Sequence, residues 1–143
     1  MMTPHINPDV ATLIGRGLLS ALFVQSGLTK PLHWQEALDE IKSFGLPRSP
    51  LLLVPALGVQ LLGGLGVALG LCTFWCSLAL LMFMLPTTLI AHGFWRYRGE
   101  ARAHHVTGFF QNLTMSGGLV ILMAVGAGGL SLDAMLLSAG VQR

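Results

Sequence analysis

Val10-Ala-Thr-Leu-Ile-Gly-Arg16-Gly-Leu-Leu-Ser20-Ala-Leu-Phe23-Val-Gln-Ser-Gly27-Leu-Thr29 carries one charge, the guanidinium of Arg16, in an otherwise uncharged stretch. About 20 predominantly apolar residues in a helix cross a hydrocarbon core about 30 Å thick, so this segment reads as a membrane span with a cation inside it. An ionisable side chain in that setting faces the protein interior and finds a partner there. The nearest charge in sequence is Asp9. Arg16, Ser20, Phe23, Gly27 and Lys30 follow at separations of 4, 3, 4 and 3 and therefore share one helical stripe, which is expected to face the neighbouring helices. Two readings of the stripe stay open. It forms a polar pocket with Arg16 and Lys30 at its ends, suited to an anionic or quinone-like headgroup, or both cations snorkel to opposite interfaces and the small residues between them serve packing.

Working outward, three more segments have spanning length, so the expected spans are 10–29, 51–71, 73–92 and 112–130. The composition agrees: 53% of residues are hydrophobic, 10% are charged and the mean hydropathy is +0.71, far from the roughly 25% charged residues of soluble domains. The expected fold is all-α, an integral membrane four-helix bundle forming a single domain over residues 1–143. Between spans one and two, Trp34, Ala37, Leu38, Ile41 and Phe44 recur at helical spacing while Glu36, Asp39, Glu40 and Lys42 fill the opposite face. This predicts a short amphipathic helix lying at the interface. The connection between spans three and four mixes Phe94, Trp95, Tyr97, Phe109 and Phe110 with arginines, as an interfacial aromatic belt does.

The N-terminus has no basic region ahead of its apolar run, so the first span is read as retained rather than cleaved. Lys30, Lys42, Arg48, Arg96, Arg98 and Arg102 fall in the two long connections, leaving Arg16 and Arg143 elsewhere. The positive-inside bias then places those connections in the cytoplasm and both termini outside. Glycines cluster within spans two and four, where small residues let helix backbones approach closely. Tight packing is expected there, and a homo-oligomer through those helices is a candidate assembly. The net charge of +2 is too small to indicate nucleic acid as a partner; the lipid bilayer is the expected one.

The candidate ligand-binding residues are Arg16, Lys30, Gln60, His92 and Asn112. Gln60 lies in mid-span and needs hydrogen-bond partners, as an interhelical clamp or as a ligand contact. His92 closes span three, where an imidazole can donate to a substrate or relay a proton, or simply be satisfied at the interface. No bound metal or haem is expected, because His5, His33, His104 and His105 lie outside the spans and adjacent histidines on a helix point about 100° apart. Cys72 and Cys76 are four residues apart on a helical stretch, far for unstrained bridging, and read as packing residues. The seven methionines also read as packing. No nucleophile triad, phosphate loop, dinucleotide fingerprint or zinc-ligand spacing occurs, so the chain is at most a non-catalytic membrane subunit of an enzyme.

Gly15-Arg-Gly, then Phe23-Val-Gln-Ser-Gly-Leu-Thr-Lys30, Leu46-Pro47, Gly63-Gly64 followed by Leu69-Gly-Leu-Cys-Thr73, His92, Asn112 and Gly126-Ala-Gly-Gly-Leu-Ser-Leu-Asp133 together resemble the DoxX family of small bacterial membrane proteins. The resemblance implies a four-helix membrane bundle. It also implies a role in a redox complex of a bacterial inner membrane, since the founding relative is a membrane subunit of a thiosulfate:quinone oxidoreductase; a quinone ligand and a redox partner subunit are the corresponding expectations, beside the alternatives of a small-molecule binding or transport protein and of a structural or assembly factor without a ligand. Many members carry a glutamate where Gln60 stands, so a carboxylate partner for Arg16 is missing at that place. Cys72 and Cys76 lie outside the family's pattern.

Overall fold

The computed structural model describes residues 6–141; His5 and Arg143, which entered the ligand and charge arguments above, lie outside that range. Six helices follow one another, α1 (Pro8–Thr29), α2 (Trp34–Ser43), α3 (Pro50–Leu69), α4 (Thr73–Ala91), α5 (Gly99–Val125) and α6 (Leu132–Val141), with a single 3-10 turn at Phe94–Arg96. Among the described residues no strand occurs, and four helices are long and apolar enough to cross a membrane: α1, α3, α4 and α5.

Helix α1 starts where Pro8, which needs no amide hydrogen in a first turn, follows Asn7, whose side chain accepts from the Asp9 amide. Its buried residues are Arg16, Ser20, Phe23 and Gly27, the stripe read from the sequence. Gly27 lies so close to α3 that a Cβ would meet Leu61 Cβ at 2.8 Å, and Gly63 meets Leu80 of α4 in the same way. Phe23, Val67, Leu80, Met84, Leu119 and Leu122 form the common core between the spans. The helices pack in the spatial order α1, α3, α4, α5, and α1 touches α5 only sparsely. Glycine packing is therefore strongest in span two; in span four Gly118 meets Leu19, whereas Gly117 has open space around it. Large exposed apolar side chains such as Leu18, Leu62, Ile121 and Val125 cover the outside, as lipid contact requires.

Helix α2 is the expected amphipathic element. Ala37 and Leu38 are buried against Leu53 and Leu57 of α3, with Trp34 and Ile41 alongside. Two ion pairs fix it from its polar side, Lys30 Nζ to Glu40 at 2.7 Å and Arg48 Nε to Asp39 at 2.8 Å.

The fourth long helix differs from its expected bounds at both ends. It starts at Gly99, not Asn112, and at about 1.5 Å per residue its 27 residues span roughly 40 Å, more than the hydrocarbon core. Glu100, Arg102 and His104 interrupt the apolar pattern without interrupting the helix, because all three are exposed. Its end comes at Val125, where Gly126 (φ 84°) and Gly128 (φ 75°) take left-handed conformations that other residues resist. Residues 126–131 then form a loop leading into α6.

A candidate ligand-binding cleft

Arg16 is 1% exposed, and its guanidinium looks inward. Nη1 donates to the carbonyl of Ala127 at 2.8 Å and Nη2 to the carbonyl of Leu130 at 2.5 Å. The forked geometry of the group suits two carbonyls presented by one loop. Asp9 holds the same loop through its Oδ1, which accepts from the Gly129 amide at 2.6 Å. Just beyond, Asp133 accepts from the amides of Cys72 and Thr73 and from the Thr73 hydroxyl, and so caps the start of α4. This end of the bundle is a closed polar clasp. Cys72 and Cys76 beside it are free thiols.

The main cleft lies at the other end. It has a volume of about 340 Å³ and is lined by α1, α2, α3, α4 and α5. Its walls are mostly apolar, including Leu22, Phe23, Ile41, Phe44, Phe83 and Met84. Into it converge Lys30, Gln60, His92 and Asn112. Arg16 is absent from the lining, which corrects the expectation of one pocket with Arg16 and Lys30 at its two ends. The fourteen-residue separation along α1 puts the two cations about 21 Å apart, and loop carbonyls hold the guanidinium at the far end.

Gln60 is 6% exposed, yet its side-chain amide has no hydrogen-bond partner among the described residues. The same holds for the amide of Asn112, whose backbone carbonyl alone is used, by Ser116 Oγ at 2.8 Å. Neither amide is sealed off from the cleft: Asn112 is half-buried, and both side chains line its open space, where a ligand group can complete their bonding. Lys30 does have a partner, Glu40, which also lines the cleft. Sequence reasoning missed Glu40 as a site residue because on α2 it read only as one member of a solvated face.

His92 sits at the end of α4, with Nδ1 buried and unpartnered among the described residues. Its ring packs so closely on Gly108 that a Cβ there would collide with it. His105 approaches with a ring centroid distance of 5.8 Å and stacks on Tyr97 at 3.8 Å. No group of three or more metal-ligating side chains gathers among the described residues. Next to these rings, Phe94, Trp95 and Phe109 pack edge to face.

Four apolar helices closed at one end by a polar clasp and opened at the other into an amphipathic cleft define a small multi-pass membrane protein with a built-in ligand-sized space. The DoxX family model matches residues 11–93, and the chain belongs to that family. It is 25% identical to the inner membrane protein YphA of Escherichia coli strain K12, over 87% of this chain and 89% of that protein. It is 30% identical to the inner membrane protein YqjF of the same strain, over 90% of this chain and 93% of that one. No solved structure matches the chain significantly.

Proposed function

We propose that this protein is an inner-membrane subunit or anchor of a redox complex that holds a small lipophilic molecule by its polar head, with a quinone as first candidate and another small lipophile as second. One observation carries the binding part: the unpartnered amides of Gln60 and Asn112 meet Lys30 and His92 in a mostly apolar cleft. Its volume, about 340 Å³, falls within the roughly 300–1,000 Å³ of small-molecule sites. The redox part follows from what membership of the DoxX family implies, and the inner membrane from the names of the two relatives. In this reading the cleft opens toward the cytoplasm, the side to which the positive-inside bias assigns Lys30, Lys42, Arg48 and Arg96.

The test is purification in a mild detergent followed by mass spectrometry of co-purifying small molecules. A quinone supports the full reading, and another lipophile supports ligand binding without the redox role. Phospholipid alone overturns it in favour of an assembly factor, a second reading that rests on the Arg16 clasp, where polar side chains serve only to join parts of the chain.

A further inference from the structure

We infer that Glu40 sets the selectivity of this cleft, making it a site for a lipophile with an uncharged head and excluding the matched anion. The inference rests on the cleft-binding reading above. The charge inventory of the lining carries it. Lys30 and Glu40 are its two formally charged side chains, and they meet at 2.7 Å. The pair stands at the mouth, with side chains 30% and 43% exposed, so a carboxylate or phosphate head competes there with Glu40 for Lys30; seated deeper, it leaves water with no free cation to match it, and an unpaired charge moved out of water is strongly disfavoured. Deeper in, the groups on offer are the amides of Gln60 and Asn112 with the hydroxyls of Ser26 and Thr87. The Thr87 hydroxyl already donates to Phe83 O at 2.7 Å. Amides both donate and accept, so they pair with a carbonyl or hydroxyl head at no cost in uncompensated charge. Glu40 comes from α2, outside the spans, so the interfacial helix supplies the counter-charge that an all-span cleft would lack.

The experiment compares dodecanol with dodecanoate as probes of the intact protein in digitonin, above the carboxylate and imidazole ranges, where the acid is ionised and His92 is neutral. Bound probe is counted by native mass spectrometry. The expected result is that the alcohol binds tighter by on the order of tenfold. Glu40→Gln frees Lys30 and should raise dodecanoate binding to match or pass the alcohol. Lys30→Gln breaks the same ion pair but leaves Glu40 unneutralised, and should depress the ratio of dodecanoate to dodecanol binding further. Because both variants lose the same contact, opposite shifts in anion binding separate selectivity from loss of fold. Equal or tighter binding of dodecanoate to the unaltered protein overturns the inference while leaving the cleft as a binding site. Binding of neither probe overturns both.

Discussion

Gly70 has no side chain because the guanidinium of Arg16 occupies the place where a Cβ would stand. The residue ends α3 in a left-handed conformation, φ 68°, and its carbonyl accepts from the Asp133 amide at 2.9 Å. Two independent demands, a positive φ and a neighbouring cation, thus fall on one glycine.

Gly70→Ala should therefore be costly. The left-handed conformation alone accounts for about 1–2 kcal/mol, and the collision with Arg16 adds to it. Thermal unfolding in detergent measures the loss. Gly58→Ala is the control: nothing lies within 4 Å of a Cβ there, and it sits inside α3. In a helix interior that change is expected to be neutral or stabilising by up to about 1 kcal/mol.

Arg16→Lys keeps the charge and loses the fork. A lysine ammonium is a single nitrogen in place of the two that meet Ala127 and Leu130 separately, so it fits the pair less well, and a hydrogen bond to a charged group is worth about 1.5–3 kcal/mol. Stability should fall by that order. Ligand retention per folded molecule should stay the same, because Arg16 does not line the cleft. A selective loss of retention would return Arg16 to the binding site.

Gln60→Met should act in the opposite sense. Replacing a buried, unpartnered amide with an apolar side chain of similar size is neutral or stabilising, while a bonding group disappears from the cleft. The expected outcome is an unchanged or higher melting temperature together with reduced ligand retention. A fall in both would mark Gln60 as a structural clamp.

Asp133→Ala removes the cap of α4 from a residue far away in sequence. Such a cap contributes about 0.5–2 kcal/mol, and the loss should be local. Amide hydrogen exchange at Cys72 and Thr73, the two amides Asp133 accepts from, should speed up, and Asp133→Asn should retain part of the protection.

The four spans, the amphipathic α2 and the inward stripe of α1 were legible because each rests on a local period of apolar residues, which Arg16, Ser20, Phe23 and Gly27 keep. The extent of α5 was not, because hydropathy reports contact with lipid and is silent about a helix that continues into water through Glu100, Arg102 and His104. The partners of Arg16 left no trace either. A search for a carboxylate looks for a residue type, whereas Ala127 and Leu130 contribute backbone carbonyls, which every residue has. Gln60, His92 and Asn112 stood out as polar residues in or next to spans, but their convergence with Glu40 depends on how four helices and α2 are arranged.

The clasp around Arg16 also orders events in time. Helix α1 carries a cation whose acceptors are made 111 and 114 residues later in the chain. The charge is met only once the loop beyond α5 is in place, so closing this end of the bundle waits on chain that follows all four spanning helices described here.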